Sequence, residues 1–196
     1  MIPTDPIERF RSVYALAEET DRAIIPDPSA MSLATVENRD QPSVRIVLLK
    51  AFDERGFVFY TSFEGRKGRQ LLADPKAALC FHWAPLEIQV RVEGTASKVA
   101  DEEANAYFAT RARASQIGAW ASRQSEPLET PSALDERVAR YEQQFNGKDV
   151  PRPDYWSGFR VRPERIEFWK GKPNRLHERH LYTRDGEGWR IETLYP

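Results

Sequence analysis

Arg45-Ile46-Val47-Leu48-Leu49-Lys50 places four consecutive apolar residues between two cations. An uninterrupted apolar run of this kind predicts a strand that is buried on both faces. Neither Arg45 nor Lys50 can lie deep in a core without a partner, so we expect both charges at the strand ends. After the turn signal Asp53-Glu54-Arg55-Gly56, the run Phe57-Val58-Phe59-Tyr60-Thr61 predicts the returning strand. The predicted sheet is built outward from this pair of strands.

Two cations, Arg66 and Lys67, begin a short helix that the sequence predicts over residues 66–73. A helix dipole disfavours cations at this end, where free backbone N–H groups attract anions. The pair therefore makes sense if a phosphate lies between the two cations and the N–H groups. Two solvated surface charges are the alternative, and the local sequence favours neither interpretation.

Composition indicates one soluble domain. The chain has 196 residues, enough for a sizeable core, and 30% of them are charged with a net charge of −1. We therefore expect neither a nucleic-acid partner nor a membrane, since no apolar run is long enough to cross a bilayer. The N-terminus is not a signal peptide, so a cytoplasmic location is expected. The three histidines lack metal-ligand spacing, and the single Cys80 is expected to be a buried structural thiol.

The order of patterns predicts a β-rich α+β domain. A helix is expected from Asp5 and Pro6, and Gln89 lies on the polar face of an alternating strand over residues 88–94. We divide the single domain 1–196 into a helix and connector (1–28), strands (29–100), a helical segment (101–150) and C-terminal strands (151–196). The further strands are expected over residues 31–36, 43–52, 76–83, 157–161, 165–170, 180–184 and 189–194.

A second group of polar residues has helical spacing. Tyr107, Arg111 and Ser115 lie at i, i+4 and i+8. On a continuous helix this spacing places a phenol, a guanidinium and a hydroxyl on one face, where they would bind a second anion. An exposed face with one stacked arginine is the alternative, and the spacing alone favours that alternative.

A dense cationic segment lies between two of the C-terminal strands. Residues 169–179 contain two lysines, two arginines, one histidine and one tryptophan. In a strand-like conformation Arg175, His177 and Arg179 alternate onto one face, and Trp169 offers a stacking surface. This combination suits a planar anionic ligand. A solvated basic hairpin is the alternative, and the near-neutral total charge argues against a nucleic-acid patch.

Six motifs occur in order from about residue 30 to the C-terminus: Arg45–Lys50, Val58–Thr61, Ser115–Trp120, Gln124–Ser125, Trp156–Arg160 and Arg175–Arg179. Together they resemble the motifs of the pyridoxamine 5′-phosphate oxidase family. The resemblance implies an FMN-binding split β-barrel with surrounding helices, and a homodimer whose two FMN molecules lie at the subunit interface. It also implies oxidation of pyridoxamine 5′-phosphate or pyridoxine 5′-phosphate to pyridoxal 5′-phosphate, with O₂ as electron acceptor and H₂O₂ as product.

The resemblance also implies a role for individual residues. Arg175 and His177 would be the catalytic residues covering the pyridine ring, with Arg175 positioning the substrate and His177 handling protons. The substrate phosphate would be held by Lys50, Tyr107, Arg111 and Ser115. FMN would be bound by Arg45, Ile46, Val47, Leu48, Leu49, Lys50, Tyr60, Thr61, Arg66, Lys67, Gln89, Gln124, Ser125, Trp169 and Arg179.

Two other functions are compatible with parts of this pattern. A related split-barrel FMN reductase with another substrate would keep the flavin residues but would not need the substrate-phosphate set. A non-catalytic carrier of flavin or pyridoxal phosphate is the second alternative. The longer basic N-terminal segment found in many family members has no counterpart before the first helix here, so we expect closure over the substrate to differ.

Overall fold

Strands dominate the computed structural model, which describes residues 2–38 and 40–196. The β-rich α+β class predicted from the sequence is confirmed. The α-helices of the described residues are α1 (Pro6–Glu19), α2 (Arg66–Ala73), α3 (Asp101–Thr110), α4 (Arg113–Ala121) and α5 (Ala133–Gln144). The strands are β1 (Ala30–Glu37), β2 (Gln41–Leu48), β3 (Ala51–Asp53), β4 (Gly56–Ser62), β5 (Lys76–Trp83), β6 (Ile88–Lys98), β7 (Trp156–Lys170), β8 (Glu178–Asp185) and β9 (Gly188–Leu194).

All nine strands belong to one sheet, in the order β2-β1-β5-β6-β7-β4-β3, with β8 on the far half of β7 and β9 on β8. Every neighbouring pair is antiparallel. The register between β6 and β7 shifts between Glu93 and Gly94, near the point where β7 changes partner from β4 to β8. A Cβ at Gly94 would lie 2.0 Å from the carbonyl oxygen of Arg162, so only glycine permits this close approach.

Helix α1 covers the core with Phe10 at its centre. The side chain of Asp5 accepts a 2.8 Å hydrogen bond from the backbone N–H of Ile7, and Pro6 opens the helix, as predicted. Phe10 is fully buried, and its ring centroid lies 4.9 Å from that of Phe57 and 5.0 Å from that of Phe81. These contacts fix α1 against the sheet face that carries the predicted apolar runs.

The central apolar run differs from its prediction. The strand expected over residues 43–52 is two strands, β2 and β3, interrupted at Leu49 and Lys50. Burial on both faces is wrong for the single chain, because Val44, Ile46 and Leu48 are 69%, 62% and 38% exposed. These exposed residues alternate along β2, so one face of the strand is uncovered in the single chain. Among the described strands β2 pairs with β1 and lies at the edge of the sheet. Its outward face is therefore an apolar stripe open to a partner.

Two predicted side-chain faces are also wrong. Helix α3 ends at Thr110, and Arg111 and Ala112 are extended before α4 begins, so no continuous helix aligns Tyr107, Arg111 and Ser115. The segment before β8 is not strand-like either. Its Pro173–Arg175 part forms a short 3₁₀ turn in which Asn174 and Arg175 have positive φ values of 58° and 61°. The strands expected over 157–161 and 165–170 are the single strand β7.

Expectations about Cys80, metals and membranes have different outcomes. Cys80 is half-buried, and burial raises the pKa of its thiol, which disfavours the reactive thiolate. Across the described ranges 2–38 and 40–196, no group of three or more metal-ligating side chains comes together. None of the helices seen there has the length and apolar character needed to cross a membrane. The division of the chain into four segments stays a prediction.

Candidate active site

A cavity of about 320 Å³ opens where β2, β4, α2 and the corner between α3 and α4 meet. We call it the β4 pocket. Ten of its eleven lining residues were predicted as site residues, and the other is Trp156. The lining comprises Ile46, Val47, Leu48, Lys50, Tyr60, Thr61, Lys67, Tyr107, Arg111, Gln124 and Trp156. Ser115 is exposed and is absent from this lining, and Leu49 is buried in the core.

Lys67 is the cation at the centre of a polar triangle in the β4 pocket. Its Nζ donates to Thr61 Oγ1 at 3.2 Å and to Gln124 Oε1 at 2.8 Å. The hydroxyl of Thr61 also donates to Gln124 Oε1 at 3.0 Å. Burial, and then the nearby charge of Arg45, lowers the pKa of Lys67. A half-buried ammonium whose hydrogen-bond partners among the described residues are all neutral is a binding group for an anion.

Two arginines near Lys67 already have protein partners, Arg45 through hydrogen bonds and Arg66 through an ion pair. The guanidinium of Arg45 donates to the hydroxyl of Thr35 at 2.6 Å, to the hydroxyl of Ser43 at 2.6 Å and to Gln70 Oε1 at 3.1 Å. Arg45 is thus held between β1, β2 and α2 behind the pocket. Arg66 forms an exposed ion pair with Glu37 at 2.5 Å. Both arginines supply positive potential near Lys67 without facing the cavity themselves.

The loop after α4 approaches the N-terminus of α2 closely. Ser125 has a φ of 73°, and its Oγ accepts a 3.2 Å hydrogen bond from the backbone N–H of Arg66. A Cβ at Gly65 would lie 2.4 Å from Gln124 Oε1, so a larger residue at this position would displace the Gln124 amide. The structure thus brings together Thr61, Lys67 and Gln124, which are distant in sequence.

An aromatic wall carries the other cation of the β4 pocket. The rings of Tyr60 and Tyr107 stack at 3.9 Å between centroids, and both are nearly parallel to the indole of Trp156. The guanidinium carbon of Arg111 lies 4.6 Å from the centroid of that indole. Burial, with the charges of Glu103 and Tyr107, raises the pKa of Tyr60 to about 12, so this phenol stays neutral.

Arg111 is poised for an anion. Its Nη1 is buried and has no hydrogen-bond partner within the described part of the chain, and no carboxylate there forms an ion pair with it. Burial lowers the pKa of Arg111, and Tyr107 offsets this only in part. Since an unpaired buried donor is costly, the site is arranged for an external acceptor.

Four further predicted residues, Gln89, Trp169, His177 and Arg179, form a second group together with Glu167, and we call this group the Trp169 cluster. Gln89, Trp169 and Arg179 are cross-strand neighbours on β6, β7 and β8. The imidazole of His177 lies 4.6 Å from the Trp169 ring between centroids. Arg175 is exposed in the preceding turn. The cluster therefore presents an indole, an amide, an imidazole and a guanidinium on adjoining strands.

Glu167 was not predicted, yet it orients Arg179. It is only 5% exposed, and its Oε1 accepts from the Nε of Arg179 at 2.8 Å, while Arg91 binds its other oxygen. Burial raises the pKa of Glu167, but the hydrogen bond from Arg179 and the charge of Arg91 outweigh this and hold the pKa below its ordinary value. Glu167 is therefore an anion that fixes two guanidiniums.

The β4 pocket and the Trp169 cluster lie far apart in one chain. Trp156 begins β7 and lines the pocket, whereas Trp169 lies thirteen residues later on the same strand. At a rise of about 3.3 Å per residue, the two indoles are separated by roughly 40 Å along the strand. No member of the Trp169 cluster lines the pocket. The predicted site residues thus form two groups at opposite ends of β7 within one chain.

Comparison with known proteins identifies the family. A family model described as "Pyridoxamine 5'-phosphate oxidase" matches residues 17–170, and one described as "Pyridoxine 5'-phosphate oxidase C-terminal dimerisation region" matches residues 156–196. The pyridoxine/pyridoxamine 5′-phosphate oxidase of Myxococcus xanthus is 58% identical over 196 residues, covering 100% of this chain and 94% of the relative. That of Rubrobacter xylanophilus is 57% identical and covers 98% of this chain and 87% of the relative.

Solved structures confirm the predicted FMN-binding split β-barrel with surrounding helices. PhzG from Burkholderia lata 383, solved in complex with tetrahydrophenazine-1-carboxylic acid, has a TM-score of 0.90 and 30% identity over 99% of this chain and 94% of that chain. A pyridoxamine 5′-phosphate oxidase-related, FMN binding protein from Nostoc punctiforme, at 18% identity and a TM-score of 0.74, covers 95% of this chain and 97% of its own and shares the fold. The chain belongs to the pyridoxamine 5′-phosphate oxidase family.

Proposed function

We propose that this chain is an FMN-dependent oxidase that converts pyridoxamine 5′-phosphate or pyridoxine 5′-phosphate to pyridoxal 5′-phosphate, with O₂ as acceptor and H₂O₂ as product. The observation that carries the proposal is the presence of two separate anion-binding groups in one pocket, Lys67 at α2 and Arg111 on the aromatic wall. Relatives with this activity in their names match nearly the whole chain at 57–58% identity. A cytoplasmic location is part of the proposal.

The residues at the N-terminus of α2 fit FMN. Lys67, Thr61 and Gln124 offer an ammonium, a hydroxyl and an amide within one hydrogen-bonded triangle, with the charges of Arg45 and Arg66 behind it. This donor set suits a phosphate at a helix N-terminus. The redox chemistry is that of the flavin when bound, namely removal of a hydride equivalent from the substrate carbon and transfer of the electrons to O₂.

The substrate phosphate is assigned to the aromatic wall. Arg111 has a free Nη1 there, and Lys50 and Tyr107 line the same cavity. Phosphate anchoring fixes the distance of the reacting carbon from the cofactor, which is how binding energy is converted into alignment. With the amine substrate, the imine formed is hydrolysed to the aldehyde. With the alcohol substrate, the aldehyde forms directly.

The complete site requires a second subunit. Arg175 and His177 lie at the margin of the Trp169 cluster, which lies at the other end of β7 from Trp156 and contributes no residue to the lining of the β4 pocket. The exposed residues Ile46 and Leu48 line that pocket, so the pocket opens onto the apolar stripe of β2. We infer a homodimer in which the Trp169 cluster of the partner subunit closes the β4 pocket. Arg175 then positions the substrate, and His177 offers a ring nitrogen that holds or moves a proton.

A turnover assay tests the proposed activity. Protein purified with FMN is expected to be yellow, to lose this colour when pyridoxamine 5′-phosphate is added without oxygen, and to form aldehyde and peroxide in air. A related reductase would bind FMN but leave pyridoxamine 5′-phosphate unoxidised. A carrier would bind flavin or pyridoxal 5′-phosphate without any turnover. Absence of aldehyde from flavin-loaded protein would reject the oxidase.

Lys67→Ala is expected to weaken FMN binding by about tenfold or more, because it removes a half-buried cation from the phosphate site. At saturating FMN, the KM for pyridoxamine 5′-phosphate should change by less than about twofold, since Arg111 holds the other phosphate. Flavin fluorescence titration measures the first quantity and steady-state kinetics the second. Lys76→Ala is the matched control, as Lys76 pairs with Glu164 at 3.0 Å on the exposed side of β5. Equal loss of both affinities would place the substrate phosphate at Lys67.

A further inference from the structure

Arg111 lines the β4 pocket and forms no ion pair with the described residues. Its backbone is extended at the corner between α3 and α4, so no helix fixes its side chain. Within residues 2–38 and 40–196, none of the ion pairs involves Arg111, and its Nη1 lacks a hydrogen-bond partner. A long side chain with this freedom carries a large rotamer entropy that ligand binding must otherwise remove. Some other contact has to restrain it.

The restraining contact is the indole of Trp156. The guanidinium carbon lies 4.6 Å from the indole centroid, closer than its 5.7 Å distance to the ring of Phe108. A cation over the face of tryptophan is in the strongest of the aromatic cation–π geometries. In general, a guanidinium that stacks on an aromatic face keeps the N–H donors at its edge available for an acceptor. A carboxylate partner would instead occupy those donors and neutralise the charge.

The indole itself is rigidly placed. Trp156 is 7% exposed and pairs with Ser62 as the first residue of β7. The backbone N–H of Trp156 donates to the carbonyl of Pro153 at 2.9 Å, and the backbone carbonyl of Trp156 accepts from Arg152 Nη1 at 2.8 Å. Phe108 packs edge-on against the ring at 5.1 Å. Because its backbone is hydrogen-bonded and Phe108 contacts its ring, the indole is able to hold a flexible guanidinium in one place.

We propose that Trp156 is a positioning residue of the substrate-phosphate site, whose indole face holds the Arg111 guanidinium while leaving Nη1 free for a phosphate oxygen. The identity of the ligand rests on the proposed function, whereas the arrangement of the two side chains does not. The role is to set specificity for a phosphorylated ligand over its unphosphorylated form. The proposal predicts that removing the indole weakens binding only of a phosphorylated ligand and only while Arg111 is present. Another aromatic side chain at residue 156 should restore part of the affinity.

The test compares binding of pyridoxal 5′-phosphate and pyridoxal to the FMN-loaded enzyme by equilibrium titration. Trp156→Leu is expected to raise the Kd of pyridoxal 5′-phosphate by roughly tenfold, and Trp156→Phe by less than about threefold because a phenyl face remains. The Kd of pyridoxal should change by less than about twofold in both variants. Equal weakening of the two ligands, or no rescue by phenylalanine, would overturn the proposal.

A double-mutant cycle separates positioning from general damage. In an Arg111→Ala background, Trp156→Leu should add less than about twofold to the Kd of pyridoxal 5′-phosphate, because the group that it positions is gone. Additive losses would show that Trp156 acts without Arg111. Trp120→Leu is the matched control, since Trp120 packs against the same hydrophobic cluster but is absent from the pocket lining. These Kd ratios are measured without turnover, so they decide the role of Trp156 even if the protein has no oxidase activity. Absence of that activity would reject the proposed function alone.

Discussion

Arg111→Ala should raise the KM for pyridoxamine 5′-phosphate about a hundredfold, equivalent to about 3 kcal/mol. The reason is that Arg111 is the pocket cation whose Nη1 is buried and unpartnered among the described residues, on a wall where a phosphate oxygen would accept from it. Lys50 and Tyr107 remain in the variant, but neither supplies a planar pair of donors. Steady-state kinetics with the phosphorylated amine measure the change, and FMN affinity should stay within about twofold.

The same substitution should leave folding almost unchanged. No ion pair is broken, and the loss of the contact with Trp156 is offset by removal of an unsatisfied buried donor. We expect the free energy of unfolding of the FMN-free protein to change by less than about 1 kcal/mol. Arg111→Lys is the control that keeps the charge but loses the planar fork, and it should recover only part of the affinity. A normal KM in Arg111→Ala would remove Arg111 from the phosphate site.

Local periodicity was sufficient to predict most elements of the fold. Helices α1 and α2 and strands β1, β4 and β5 lie within about two residues of their predicted positions. In each of them the sequence pattern and the packed face agree: Phe10 lies on the buried stripe of α1, and Leu71 on that of α2. Where local preference and tertiary packing require the same conformation, sequence is a reliable guide.

The failures occurred where the tertiary structure controls the conformation. An apolar run does not distinguish a strand buried on both faces from an edge strand with one exposed apolar face, and β2 is of the second kind. The end of α3 carries no glycine or proline, since residues 109–114 read Ala-Thr-Arg-Ala-Arg-Ala. The backbone nevertheless leaves the helix at Arg111 and brings its side chain onto Trp156.

The candidate site was predicted through a family resemblance, but its geometry was not. No spacing rule reveals that Trp156 faces Arg111, because the two are 45 positions apart and meet only when β7 packs beside α3. Glu167 was also missed, although alternation along β7 places it on the same face as Trp169. A buried carboxylate within reach of two arginines is recognised only once their strands are paired.

The proposed division of each site between two subunits leads to the most decisive experiment. Chains carrying Arg111→Ala have a defective β4 pocket but keep the Trp169 cluster and its neighbour Arg175. Chains carrying Arg175→Ala keep the β4 pocket but lack the arginine that precedes the Trp169 cluster. If each site combines the pocket of one subunit with the cluster of the other, every mixed dimer contains one site that is wild type and one that is doubly defective. Subunit exchange at equal concentrations should then restore about a quarter of the wild-type activity at low substrate, because half of the dimers are mixed.

Each variant alone must be impaired for this recovery to be visible. We expect kcat/KM to fall about a hundredfold for Arg111→Ala and at least about tenfold for Arg175→Ala, with FMN retained in both. A mixture of Arg111→Ala and Lys67→Ala is the matched control, since both substitutions damage the same pocket and no mixed dimer can contain an intact site. Activity equal to the average of the parents in both mixtures would mean that pocket and cluster act within one chain. Recovery confined to the first mixture would place the Trp169 cluster of the partner subunit at each β4 pocket, despite the roughly 40 Å that separates the two along β7 in one chain.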